Sequence, residues 1–86
     1  MAMSVLHIKV LLFAAARDAA GSDVVELQLT QGSSVADLKT RLLEQVPGLQ
    51  RFSSSLLWAV NNEYASADRI ILDQDQIACF PPVSGG

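Results

Sequence analysis

"SSVADLKTRLLEQVPG", Ser33 to Gly48, is the stretch on which the fold turns. Val35, Leu38, Leu42 and Val46 recur at helical spacing with Leu43 beside them, while Asp37, Lys39, Arg41 and Glu44 fall on the opposite side. The segment from Val35 to Val46 therefore reads as a helix with one apolar stripe. Ser33 or Ser34 supplies its N-cap, Asp37 complements the helix dipole in the first turn, and Pro47-Gly48 ends it. A helix with a single apolar stripe needs another layer to cover it.

The flanking segments supply that layer. Upstream, "VLHIKVLLF" (Val5 to Phe13) reads as a strand, "AARDAAG" (Ala15 to Gly21) as a short helical turn closed by Gly21, and "DVVELQL" (Asp23 to Leu29) as a second, alternating strand. Downstream, "LLWAVN" (Leu56 to Asn61), "RIIL" (Arg69 to Leu72) and "QIACF" (Gln76 to Phe80) read as three more strands, with "DQD" (Asp73 to Asp75) turning between the last two. The order ββαβββ predicts an α+β fold of the ubiquitin-like β-grasp type: a mixed five-stranded sheet packed on one main helix. Its first and last strands should be central parallel neighbours, joined through the helix as a crossover. Residues 1–81 form the expected domain, and residues 82–86 a flexible C-terminal tail.

Composition bounds what such a domain can do. The chain has 86 residues, half of them hydrophobic and 17% charged, which suits one small packed core and leaves little room for a deep internal active site. The net charge is -3, and Lys9, Arg17, Lys39, Arg41, Arg51 and Arg69 are scattered, so neither nucleic acid nor a membrane is an expected partner. Cys79 stands alone and reads as a core thiol; with His7 equally alone, no metal is expected. Lys9 followed by "VLLFAAA" (Val10 to Ala16) loosely imitates a secretory signal, but the charge comes late and cleavage would delete the first strand. A cytoplasmic location is the expectation.

Strand alternation then assigns faces. Leu6, Ile8, Val10 and Leu12 belong on the helix side, as do Ile77 and Cys79. The opposite face begins polar, with His7 and Lys9, and ends in Leu11 and Phe13; the last strand brings Phe80 out beside Phe13, and Tyr64 could extend the patch. Trp58, sharing a face with Leu56 and Val60, reads as core. An apolar patch on an outer sheet face is a candidate docking surface.

The patch leads directly into "FPPVSGG" (Phe80 to Gly86). Pro81-Pro82 ends the sheet and gives the exit a direction, and the four residues after Pro82 can extend by at most about 14 Å. Gly85-Gly86 suit a segment that passes through a narrow channel and presents its carboxylate to chemistry. A carboxylate is a poor electrophile and needs activation, for which this chain carries no nucleophile, base or phosphate-binding loop.

Taken with "LLFAAARD" (Leu11 to Asp18) and "AVN" (Ala59 to Asn61), this ending resembles the small, sulfur-carrying subunit of molybdopterin synthase, the MoaD family, over nearly the whole chain. The resemblance implies a subunit that is a covalent substrate rather than a catalyst. Gly86 would be adenylated with ATP by an enzyme related to ubiquitin activators, then converted to a thiocarboxylate with sulfur from a desulfurase or rhodanese-type donor. Pro82, Val83, Ser84 and Gly85 would thread into the large subunit of a heterotetramer, and the sulfur would pass to a cyclic pyranopterin precursor of the molybdenum cofactor. Phe13, Phe80, Leu11, Pro81, Tyr64 and Arg17 would form the partner interface, with no cofactor bound permanently. A carrier for thiazole, cysteine or transfer-RNA sulfur chemistry, a ubiquitin-like modifier of lysines, and a bare docking domain are the alternatives. Two positions depart from the family pattern. "DQDQ" (Asp73 to Gln76) puts Gln74 where a glycine usually sits, at a cost of roughly 1 kcal/mol if the turn needs a positive φ. Cys79 stands where a bulkier residue is commoner.

Overall fold

The computed structural model describes residues 4–81. Its elements are β1 (Val5–Leu12), α1 (Ala14–Ala20), β2 (Val24–Thr30), α2 (Val35–Gln45), a 3-10 helix (Pro47–Phe52), β3 (Leu57–Val60), β4 (Glu63–Tyr64) and β5 (Ile77–Phe80). The five strands form one sheet in the order β2-β1-β5-β3-β4. β1 and β5 are central and parallel, with Val10 opposite Ile77 and Leu12 opposite Cys79; every other pairing is antiparallel.

β1 alternates strictly between exposed and buried residues, so Leu6, Ile8, Val10 and Leu12 enter the core as their period of two demands. Val25, Leu27 and Leu29 of β2, Leu56, Trp58 and Val60 around β3, and Ile77 and Cys79 of β5 join them against Val35, Leu38 and Leu42 of α2. α2 starts in a capping box: Asp37 N–H donates to Ser34 Oγ at 3.3 Å, and Ser34 N–H donates to the Asp37 carboxylate at 2.9 Å. Ser34, not Ser33, is thus the cap.

Two differences from the sequence reading concern the fourth strand. Arg69–Leu72 is not a sheet strand. Its backbone serves the start of α2, where Val35 N–H and Ala36 N–H, donors that no helical turn can satisfy, reach Arg69 O and Ala67 O at 2.9 Å each. Ile71 N–H returns a bond to Ser33 O at 2.9 Å, only an isolated bridge joins Ser34 to Ile70, and Ile71 alone of this apolar run is buried. The fourth strand is instead Glu63–Tyr64, folded back on β3 through Asn61-Asn62. Both asparagines have positive φ (54° and 69°), the requirement of a two-residue type I′ hairpin.

After α2 the chain turns through the 3-10 helix, whose Leu49 is fully buried. Gly48 makes this turn possible. A Cβ there would lie 2.7 Å from the Ala19 carbonyl oxygen of α1, so the two backbones meet at a distance no side chain permits.

Candidate docking face and tail exit

Register lays out the outer face of the sheet in rows. Leu11 of β1 stands opposite Ala78 of β5, Ala78 opposite Ala59 of β3, and Ala59 opposite Tyr64 of β4. In the next row Phe80 stands opposite Leu57. Phe13 N–H donates to Cys79 O at 3.3 Å and so carries the β1–β5 pairing one residue beyond the strand, which brings the Phe13 ring to 6.1 Å from that of Phe80. Tyr64 meets Phe80 edge-on, at 6.1 Å and 82°. Phe80 is the hub of this cluster.

Leu11, Phe13, Leu57 and Tyr64 are 41–78% exposed, unlike any residue of the core, and they lie together. The same face is polar at its other end, where Lys9 pairs with Glu26 and His7 with Gln28. The cluster of Leu11, Phe13, Leu57 and Tyr64 therefore lies at the end of the sheet where β5 leaves it, separated by these polar rows from the exposed Val5 at the other end.

Of the interface candidates, Leu11, Phe13, Tyr64 and Phe80 converge, and Pro81 follows Phe80 directly. Arg17 does not join them: it lies on α1, where its guanidinium is 3.9 Å from the Asp18 carboxylate at an exposed site. Pro82, Val83, Ser84, Gly85 and Gly86 lie outside the described residues. Leu57, Ala59 and Ala78 complete the face and were not singled out from sequence. The signal was present, since alternation in "LLWAV" puts Leu57 and Ala59 opposite the core residue Trp58.

The segments around the cluster are held by unusual backbone. Ala14, which joins β1 to α1 just after Phe13, has φ 54°, and Gln74 has φ 70°. Gln74 is the third residue of a turn closed by Asp75 N–H to Leu72 O at 3.2 Å, with Leu72 N–H donating to the Asp75 carboxylate at 2.8 Å. That is the type II pattern, which favours glycine at this position. Asn61 then ties the hairpin to the start of β5: its N–H donates to Gln76 O (2.8 Å), its Oδ1 accepts from Gln76 N–H (2.9 Å) and its Nδ2 donates to Asp75 (2.9 Å). The conformations that cost energy sit where they fix the strand beneath Phe80.

Cys79, one residue earlier, points into the core. Burial pushes its thiol up to about 12, against a small opposing pull from the Lys39 ammonium. It is a packing residue at neutral pH, not a nucleophile. Among the described residues no three His, Cys, Asp or Glu side chains form a metal-binding cluster, and no helix is long and apolar enough to cross a membrane.

The chain matches the ThiS family over residues 10–86. It is 36% identical over 83 residues to the molybdopterin synthase sulfur carrier subunit of Arabidopsis thaliana, covering 96% of this chain and 86% of that protein. Its fold superposes on the crystal structure of SAMP1, a small archaeal modifier protein of Haloferax volcanii, with a TM-score of 0.83, 28% identity and coverage of 93% and 99%. It also superposes on a chain of the complex of subunits 1 and 2 of molybdopterin-converting factor from Helicobacter pylori, with a TM-score of 0.66, 20% identity and coverage of 94% and 100%, a likeness of fold. The chain belongs to the ThiS family and, within it, to the molybdopterin synthase sulfur carrier subunits.

Proposed function

We propose that this chain carries sulfur on its terminal carboxylate for the synthesis of molybdopterin. The observation that supports it most directly is the aromatic cluster of Phe13, Tyr64 and Phe80 at the point where β5 runs out into Pro81. A carrier that hands over a terminal atom needs a docking surface beside the root of its tail, so that binding energy aims the tail.

In this reading the apolar rows of Leu11, Ala78, Ala59 and Tyr64 and of Phe13, Phe80 and Leu57 seat the large subunit. Pro82, Val83, Ser84 and Gly85 thread into it, and Arg17 contacts it at the margin. Beforehand, a separate enzyme of the ubiquitin-activator type binds the same tail. The Gly86 carboxylate attacks the α-phosphorus of ATP and pyrophosphate leaves; the persulfide of a desulfurase or rhodanese-type donor then displaces AMP to give an acyl disulfide, and attack by a thiol on the donor's sulfur reduces that bond, releasing the thiocarboxylate and leaving the donor as a disulfide. Sulfur is the better nucleophile, and its transfer to the pyranopterin precursor followed by hydrolysis regenerates the free acid. The chain is a substrate in each step, with ATP consumed by the activating enzyme rather than held here. A cytoplasmic location follows from that supply of ATP and thiol-derived sulfur.

Intact-mass spectrometry of the protein from its own cells tests this reading. An exchange of one oxygen for sulfur localised to Gly86 is expected. The free acid alone, even after incubation with activating enzyme, ATP and sulfur donor, refutes it. The likeness to an archaeal modifier protein favours one second reading, conjugation to lysines. Lysine adducts that vanish on deletion of Gly86, with no thiocarboxylate, would put that in its place.

A further inference from the structure

β2 is the outer edge of the sheet, and its free side is occupied unevenly. Leu12 N–H to Asp23 O (2.9 Å) and Gln31 N–H to Ser4 O (3.0 Å) set the parity of the β1–β2 ladder. Val25, Leu27 and Leu29 therefore turn their backbone groups toward β1, and Val24, Glu26, Gln28 and Thr30 turn theirs outward. Ser22 Oγ closes both groups of Val24, accepting from its N–H at 3.2 Å and donating to its C=O at 2.8 Å. Gln45 Nε2, at the end of α2, donates to Glu26 O at 3.0 Å. Thr30 O takes the Ser33 N–H (3.1 Å) and the Ser33 hydroxyl (2.7 Å), which fills both of its lone pairs. Among the described residues, the N–H groups of Glu26, Gln28 and Thr30 and the C=O of Gln28 meet no partner.

We propose that Ser22, Glu26, Ser33 and Gln45 guard this edge against pairing with β2 of a second copy of the chain. An exposed edge strand of seven residues is a template for another strand, and a carrier passed between partners must stay monomeric until it docks. Three antiparallel registers with twofold symmetry overlap the strand by five residues or more. Centred on Leu27, the fullest, Val24 pairs with Thr30 and Glu26 with Gln28; Ser22 closes Val24, and Gln45 and Ser33 occupy Glu26 O and Thr30 O, which leaves only the two bonds from Glu26 N–H to Gln28 O. Centred on Gln28, the two Gln28 residues exchange bonds, but each flanking pair sets Glu26 against Thr30, whose carbonyls Gln45 and Ser33 already occupy. Centred on Glu26, Val24 pairs with Gln28 on both sides; Ser22 blocks Val24, Gln45 blocks Glu26 O, and the two Glu26 carboxylates stand directly opposite each other, a destabilising placement. In each of the three registers the occupied groups are ones the ladder needs.

Sedimentation velocity across micromolar to millimolar concentrations tests the guard. Wild type is expected to remain a monomer, and Ser22→Ala/Glu26→Gln/Gln45→Ala to dimerise at least tenfold more tightly. Adding Gln28→Pro, which removes only an outward N–H, should return that variant to monomer. Ser22→Ala/Glu26→Gln, which leaves α2 untouched, should show a weaker form of the same dimer and covers the case in which the triple variant does not fold. A wild type that already dimerises through β2, guard variants that stay monomeric, or a dimer indifferent to Gln28→Pro would each overturn the proposal.

Discussion

Replacing Gln74 by glycine should stabilise the protein, although it removes a side chain. Gln74 is held at φ 70°, where a Cβ crowds the following carbonyl at a cost of roughly 1–2 kcal/mol. Its side chain is exposed, so little packing is lost. Against the relief stands the greater freedom of glycine in the unfolded chain, about 0.4–1 kcal/mol. The net expectation is about 0.5–1 kcal/mol of added stability, which for a domain of this size raises Tm by roughly 2–8 °C. Equilibrium urea unfolding followed by circular dichroism reads it, with Gln74→Val as the opposite control because a β-branched residue fits this region poorly. An unchanged m-value with a higher midpoint for glycine and a lower one for valine is the expected pattern. If glycine lowered the midpoint, or valine left it unchanged, the strain assigned to this turn would be wrong.

Gly48→Ala should cost about 1–3 kcal/mol, since its Cβ would sit 2.7 Å from the Ala19 carbonyl oxygen, and urea unfolding beside a Gly21→Ala control, where nothing lies within 4 Å, separates this clash from ordinary backbone strain. Cys79 should resist thiol reagents at pH 8 in the native state and react only on unfolding. Its folded pKa of about 12 lies above the 9.0 of an unburied thiol, so the unfolded state loses the proton first as pH rises and stability falls across that window, by up to about 1.4 kcal/mol per pH unit. Below it both states are protonated and the effect vanishes; Cys79→Val, compared by urea unfolding over the same range, should lack this component of the decline. Phe80→Asp should weaken binding to the large subunit by about 2 kcal/mol or more, near thirtyfold by calorimetry, with Tyr64→Ser, at a side chain 78% exposed, as the variant that cannot be blamed on folding. Unchanged affinity in both would remove the docking face.

The core was legible because its signals are periodic. Strict alternation in β1 and the stripe of Val35, Leu38, Leu42 and Val46 with Leu43 in α2 each admit one orientation; the β1 residues and Val35, Leu38 and Leu42 are buried, and Leu43 and Val46 are half-buried against the core. Arg69–Leu72 misled because an apolar run reports burial without saying which backbone will use its hydrogen bonds. Here the claimant is the start of α2, thirty-odd positions earlier in the chain, and only Ile71 is needed by the core. β4 was passed over for the reverse reason. Glu63-Tyr64 has no hydrophobic pattern, and its only announcement is the Asn-Asn turn before it, a signal about φ rather than about burial. At the docking face Phe13, Phe80 and Tyr64 stood out as aromatics on an outer face, whereas Ala59 and Ala78 contribute by being small, a role that register reveals and composition does not.

The central place of β5 has a mechanical meaning. It is flanked by β1 on one side and β3 on the other, and a pull applied at Pro81 runs along the strand axis. Such a load reaches the hydrogen bonds of both ladders together, in shear, instead of opening them one after another like a zip. A strand at the rim of the sheet would peel away under such a load; β5, held on both sides, bears it without unravelling the body of the domain.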